Sequence, residues 1–327
     1  MPTAILSIGS HVPDRVIGNG PVARWAGVTE TWIAERTGIL ERRYAADDVT
    51  TSDLARHAAE QVFAQHPAAR ERVGAIIVAT CTPDVPQPAT AAILQGKLGL
   101  RSVPAFDVNA VCSGFLYSLA IADGLLSRAR EDEQVLVVGA DKFSSIMNRA
   151  DRRTVSLFGD GAGAVLLGRV PEGYGLLGLR MVSDGELNHY VGVEAGGTRT
   201  PLDQRARDAG EHLLRMDGRP IRGYAASTLR KLVEQVLDDT GTGLEEVDRF
   251  VFHQANVRLL EDFADSLGVD RARFAFTAPR YGNTAGASIP ITLRASADER
   301  PITRGERVLM ASVGGGMNAA AALFRWY

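Results

Sequence analysis

Only two cysteines, Cys81 and Cys112, occur in the 327 residues, so a disulfide framework is excluded as the source of stability. No apolar run approaches the roughly 20 residues needed to span a bilayer. The start, Met1-Pro-Thr-Ala-Ile-Leu-Ser-Ile-Gly9, lacks the basic segment and long apolar stretch of a secretory signal, which points to a cytoplasmic protein. No basic run is visible and the net charge is −3, so neither nucleic acid nor a membrane surface is an expected partner. Low-complexity tracts and flexible linkers are missing too. What remains is an ordinary globular composition, 45% hydrophobic and 23% charged. A chain of this length can bury about three quarters of the surface that its unfolded form exposes.

Short β-branched runs read as buried strands: Val73–Ala79, Gln134–Gly139, Ala162–Leu167, Val247–Phe252 and Arg307–Val313. Between them, helical spacing predicts helices over Ser52–Gln65 (with Ser52 as N-cap), Tyr224–Asp239 and Leu259–Leu267. Strands alternating with helices argue for an α/β protein with largely parallel sheets covered on both faces. The segment from Pro171 to Pro220, rich in glycine and charge, reads as loops with one or two strands, capping a site.

The order of elements repeats. In residues 1–170 a strand ends near Thr80, a helix starts at Cys112, a strand follows, and a glycine-rich strand closes at Gly159-Asp-Gly-Ala-Gly. In residues 171–327 a strand ends at His253, a helix starts near Asn283, and a strand leads to Gly314-Gly-Gly. An internal duplication, packed as one unit, would bring two helix N-termini face to face at the centre.

One of these carries Cys112, within Phe106-Asp-Val-Asn-Ala-Val-Cys112-Ser-Gly-Phe, ahead of a helix apolar on all sides and therefore central. A thiol in a first helical turn meets unpaired N–H groups and the positive dipole end, which favour the thiolate. A thiolate attacks an acyl group well and also leaves well. The plainer alternative is an inert core thiol. His253 ends an apolar strand, at the sheet edge where α/β sites form, and Asn283 precedes a helix of small residues. Each can donate a hydrogen bond, and two converging donors would cradle a developing oxyanion. A satisfied core histidine and a capping asparagine are the plainer alternatives.

Five motifs then occur in order: Phe106-Asp-Val-x-Ala-x-Cys112-Ser-Gly-Phe, Phe158-Gly-Asp-Gly-Ala-Gly-Ala164, His253-Gln-Ala-Asn256, Gly282-Asn-Thr-Ala-Gly-Ala-Ser-Ile-Pro290 and Gly314-Gly-Gly316. With these the whole chain resembles a β-ketoacyl-ACP synthase III-type enzyme of the thiolase-like superfamily. The resemblance implies a duplicated, five-layered α/β/α/β/α fold, a homodimer, and a catalytic set of Cys112, His253 and Asn283, with no metal and no cofactor. It implies that Cys112 takes an acyl group from acyl-CoA, and that a malonyl thioester on CoA or an acyl carrier protein is decarboxylated and condensed with it. The backbone N–H groups of Cys112 and Gly315 would hold the oxyanion, and Trp32, Arg36, Thr37, Arg152 and Asn256 would contact CoA. Fatty-acid or polyketide-like metabolism is the implied setting.

Departures from the family pattern leave a second activity open, acyl transfer from Cys112 to a hydroxyl or amine without decarboxylation. Around Arg258, where basic residues usually meet an acidic carrier protein, stand Glu261, Asp262 and Asp265. They would repel such a carrier, or else form a solvated face with docking elsewhere. Gln87 and Met317 replace the residues, often aromatic, that border the acyl pocket.

Overall fold

The computed structural model describes residues 1–327. The first of its two large sheets holds β1 (Thr3–His11), β2 (Val73–Ala79), β3 (Ala105–Val108), β4 (Gln134–Lys142) and β5 (Asp160–Arg169), in the spatial order β1-β5-β4-β2-β3. The second holds β6 (Gly175–Ser183), β7 (Arg249–Phe252), β8 (Arg307–Gly314) and β9 (Asn318–Arg325), in the order β7-β8-β9-β6.

The expectation of largely parallel sheets is corrected. Strand β2 runs parallel to β3 and β4, and β7 parallel to β8, but β1–β5, β4–β5, β8–β9 and β9–β6 are antiparallel. The physical reason is clearest at Gly314–Gly316, a turn too short to cross over, so β9 returns beside β8 with Gly316 at φ +105°. The two sheets repeat one pattern, a parallel join followed by two antiparallel ones. Even β3 has a counterpart, an isolated parallel bridge from Phe250 to Phe274 on the far side of β7.

Helices fill three layers around these sheets. Helices α2 (Thr51–Gln65) and α3 (Thr90–Leu98) cover the outer face of the first sheet, while α5 (Gly218–Thr240) and α6 (Val257–Leu267) cover that of the second. Between the sheets lie α4 (Gly114–Leu126) and α7 (Ser288–Glu299). Helix α1 (Glu30–Thr37) stands apart from these layers, near the start of α6. Phe115, Leu116 and Leu119 of α4 have no exposed surface, and burial of such side chains stabilises by about 1.5–3 kcal/mol each. Helix α4 is not buried on every side, however: Ile121 and Leu125 are 38% and 41% exposed.

Local chemistry sets the helix ends. The cap of α2 is Thr50 and not Ser52: Thr50 Oγ1 accepts from Asp53 N (3.3 Å) while Asp53 Oδ2 accepts from Thr50 N (3.0 Å). Ser52 instead donates its N–H to Asp84 (2.8 Å). Neither central helix starts where the sequence suggested. A 3₁₀ turn, Val111–Ser113, precedes α4, and another, Ala285–Ala287, precedes α7.

Candidate active site

These two turns are built alike. Each opens on a non-glycine residue in left-handed backbone, Val111 at φ +50° and Ala285 at φ +48°. A β-branched residue rarely takes that conformation, so the strain at Val111 is held by its surroundings. Cys112 follows Val111, and Gly286 follows Ala285. The turns touch: a Cβ built on Gly286 would lie 3.5 Å from the Val111 carbonyl oxygen.

Cys112 is anchored from the second half of the chain. Ser312 Oγ donates to the Cys112 carbonyl (2.9 Å), and Ser113 Oγ donates to the Asn318 carbonyl (2.9 Å). The last residue of β8, Gly314, presses on the same turn, where an added Cβ would stand 2.7 Å from Cys112 N and 3.1 Å from its Cβ. Gly314→Ala is therefore expected to cost about 1–3 kcal/mol by overpacking and to slow reactions at Cys112. Thermal melting together with thiol alkylation checks both effects.

His253 leaves the end of β7, its N–H bonded to the Ala311 carbonyl of β8 (2.9 Å). It is 6% exposed, and its buried Nδ1 has no hydrogen-bond partner. This is not a satisfied core histidine. Burial pushes its pKa down to about 4, which leaves the ring neutral at ordinary pH. The adjacent Gln254 braces this corner: its Oε1 accepts from Thr277 N (2.9 Å) and Ala278 N (3.1 Å), and its N–H donates to Ser288 Oγ (2.7 Å).

Asn283 is held by its backbone against the glycine-rich motif, its N–H donating to Leu157 O (2.8 Å) and its carbonyl accepting from Gly159 N (3.0 Å). Its Oδ1 accepts from Ala285 N (2.9 Å), a local turn bond two residues on, while the cap position itself is Thr284, which makes no side-chain cap bond. The bond to Ala285 uses only the oxygen and leaves Nδ2 for another acceptor. Cys112, His253 and Asn283 all lie buried, at 8%, 6% and 4% exposure; the Cys112 turn packs on the Ala285–Ala287 turn that follows Asn283 and on β8, the strand beside the β7 that ends at His253.

Their electrostatics differ from the expected thiolate. Burial foremost, then the negative charge of Asp141, push the Cys112 thiol up, and only its own backbone N–H opposes them. Both influences favour the protonated thiol at rest. Asp141 is a buried charge near Cys112 that the sequence reading did not single out.

A second cluster gathers around α1. Asn256 caps α6, its Oδ1 accepting from Arg258 N (2.9 Å), and its Nδ2 donates to the Arg36 carbonyl (3.2 Å). Arg152 stacks its guanidinium 5.7 Å from the Trp32 ring centroid. Trp32, Arg36, Arg152 and Asn256 are thereby accounted for at one surface. Thr37 is buried, and its hydroxyl is occupied, donating to Ile33 O (2.7 Å) and accepting from Ile39 N (3.0 Å).

Residues 106–185 match the family description 3-oxoacyl-[acyl-carrier-protein] synthase III, and residues 237–326 match its C-terminal part. The acetoacetyl CoA synthase NphT7 of Streptomyces sp. strain CL190 is 43% identical over 98% of each chain. The chain belongs to the 3-oxoacyl-[acyl-carrier-protein] synthase III family. Among solved structures, synthase III (FabH) from Thermus thermophilus is similar with a TM-score of 0.90 at 38% identity, covering 99% of each chain. The priming β-ketosynthase of the R1128 polyketide biosynthetic pathway matches with a TM-score of 0.90 at 28% identity, over 99% of this chain and 96% of the other. The five layers are the thiolase-like arrangement, and this synthase III-type chain is an acyltransferase.

The structure adds detail at two places that the sequence reading named. The carboxylates beside Arg258 are not uncompensated. Arg258 bonds Glu261 (2.9 Å), Arg222 bonds Asp262 (2.7 Å) and Arg271 bonds Asp265 (2.8 Å). Arg222, on α5, lies too far along the chain to be paired with α6 by spacing. At the pocket positions, Gln87 is exposed on the surface of the single chain. Met317 is fully buried in the turn after β8, its N–H facing the Asp184 carbonyl, and Gly315 is buried beside it. No helix is long and apolar enough to cross a membrane.

Proposed function

We propose that this synthase III-type enzyme performs decarboxylative condensation, with Cys112 as nucleophile and His253 and Asn283 as paired donors. The observation that carries the reading is the state of those donors. His253 is neutral and buried with an unpaired ring nitrogen, and Asn283 spends its oxygen on Ala285 while its amide N–H groups stay free. Groups so arranged suit an oxyanion that exists only during reaction.

In the first step the Cys112 sulfur bonds the carbonyl carbon of an acyl-CoA. The tetrahedral oxyanion is held by the N–H groups of Cys112 and Gly315. The carbon–sulfur bond to CoA then breaks, and the thiol proton leaves with CoA. A malonyl thioester next loses CO2, and the electron pair collects on the thioester oxygen as an enolate facing His253 and Asn283. Its α-carbon attacks the acyl-Cys carbonyl, the sulfur departs, and one proton restores the thiol. The products are a β-ketoacyl thioester, CO2 and free CoA. Trp32, Arg36, Arg152 and Asn256 would grip the CoA nucleotide, the base wedging between Trp32 and Arg152. Thr37 shapes the end of α1, and Gln87 and Met317 border the acyl site once a second subunit is in place. We take residues 1–170 and 171–327 as duplicated halves packed as one unit, and the assembly as a cytoplasmic homodimer. No metal or cofactor enters these steps.

The test is incubation of the pure enzyme with a panel of acyl-CoAs and either malonyl-CoA or a malonyl carrier protein. An intact-mass adduct on Cys112, followed by CO2 release in step with β-ketoacyl product, is expected. An adduct that forms and turns over without CO2 overturns condensation. Arg258, the one cation of α6, is already bonded to Glu261, so malonyl-CoA is expected to serve at least as well as a form bound to an acidic carrier.

A further inference from the structure

One buried charge beside the two turns has no part in the steps above. Asp141, near the end of β4, has no exposed surface. Burying a carboxylate is expensive unless donors meet its charge. Its Oδ1 accepts from Cys81 N (2.9 Å), Thr82 N (3.2 Å), Thr80 Oγ1 (3.1 Å) and Thr82 Oγ1 (2.8 Å), and Oδ2 accepts from Gly286 N (2.8 Å). Burial pushes the Asp141 carboxyl up, and the donors oppose it: three of them are backbone N–H groups, which cannot accept a proton and so favour the ionised form. No cation shares its site, for the neighbouring Lys142 places Nζ on the carbonyls of Ala46 (2.8 Å) and Val49 (2.7 Å).

The two oxygens face different parts of the chain. Oδ1 gathers the segment Thr80–Thr82 at the end of β2, and Oδ2 takes the turn that begins at Asn283. That turn has no slack: a Cβ on Gly286 would lie 3.0 Å from Asp141 Oδ2, 3.2 Å from Ala79 O and 3.5 Å from Val111 O. Through Gly286 the carboxylate reaches Asn283 on one side and the Cys112 turn on the other.

Resting on the function proposed above, we propose that Asp141 is a positioning residue of the reaction, whose divided grip holds the Asn283 turn in register with the Cys112 turn. A hydroxyl or carbonyl would satisfy the Gly286 N–H at lower cost. The charge has an added consequence, because it opposes thiolate formation at Cys112. The titratable groups that face Asp141 are Cys81, whose Sγ lies 3.5 Å from Oδ1, and Cys112.

Asp141→Asn keeps the shape, removes the charge and turns an NH2 group toward donors. Iodoacetamide reaction at Cys112, resolved from Cys81 by peptide mass, is expected to shift its pH profile down by about 1 unit. Release of CO2 from the malonyl thioester should fall about 10-fold or more, while acyl-CoA labelling of Cys112 changes less than about 3-fold. An unmoved alkylation profile, or equal loss of labelling and CO2 release, overturns the proposal. If Asp141→Asn does not fold, Thr80→Val removes one donor at nearly constant shape. The same selective loss is then expected at about 3-fold, and no selectivity overturns it. A wild-type enzyme that releases no CO2 would defeat the condensation reading alone, and the alkylation profile would still decide on Asp141.

Discussion

Replacing Cys112 by alanine is expected to abolish acyl labelling by acyl-CoA, a loss of roughly 10⁴-fold or more, as for other covalent nucleophiles. The fold should survive the change. The side chain loses one sulfur atom, at a cost of about 1 kcal/mol for so small a cavity. The bonds that anchor the turn use the Cys112 carbonyl and the Ser113 hydroxyl, which alanine at 112 leaves in place. Specificity for this thiol is a real question, because the chain has one other. Cys81 is only partly buried by surface area, yet burial and then the Asp141 charge push its thiol far up. Cys81 lacks a left-handed turn and an anchored carbonyl, so it is expected to stay unlabelled. Peptide mapping after incubation checks this. Label that persists in Cys112→Ala, on Cys81 or elsewhere, would remove the proposed nucleophile.

Alkylation of the wild-type enzyme bears on the protonation of the resting sulfur. A free thiolate reacts with iodoacetamide quickly at neutral pH, whereas a thiol held protonated by burial and by Asp141 reacts slowly. Reactivity toward acyl-CoA that far exceeds reactivity toward a small alkylating agent would show that the bound thioester supplies part of the activation.

Local patterns carried much of the fold. The runs Val73–Ala79 and Gln134–Gly139 are strands because β-branched residues suit buried strands, and the structure extends the second of them to Lys142. Strand β9 was not legible in the same way. Its segment Asn318-Ala-Ala-Ala-Ala-Leu-Phe-Arg is poor in β-branched residues, and it becomes a strand because the glycine turn lays it against β8, with β6 closing its other side. The motif residues Cys112, His253 and Asn283 stood out by sequence, whereas Asp141 did not. Its donors lie about 60 and 145 residues away, and no spacing rule connects them. The expected thiolate at Cys112 left out the burial of the sulfur foremost, and then that charge. The charge pairing of α6 was hidden for a related reason, since one compensating arginine, Arg222, belongs to another helix.

Removing either proposed donor should separate the two half-reactions. His253→Ala deletes a ring whose Nδ1 is already unpaired, and Asn283→Asp keeps the Oδ1 bond to Ala285 N while replacing the amide donor by an acceptor. In both, CO2 release is expected to fall about 10²–10³-fold, the usual cost of one oxyanion donor, with acylation of Cys112 retained within about 10-fold. Equal loss of both steps would point instead to simple acyl transfer. The pH dependence gives a second, independent reading of His253. With its pKa held down to about 4 by burial, the ring is neutral from pH 5.5 upward, so CO2 release should show no inflection near the ordinary histidine value of 6.5. Stability carries the opposite imprint. Below pH 6.5 the unfolded chain binds a proton at this ring while the native chain does not, so native stability falls as the pH drops from 6.5 toward 4. The full effect is about 3 kcal/mol and is absent in His253→Ala. Denaturant unfolding at pH 7.5 and pH 4.5 measures that difference between the two proteins. If they lose stability in parallel, the ring protonates freely in the native state, and it cannot be the neutral donor that the condensation step requires.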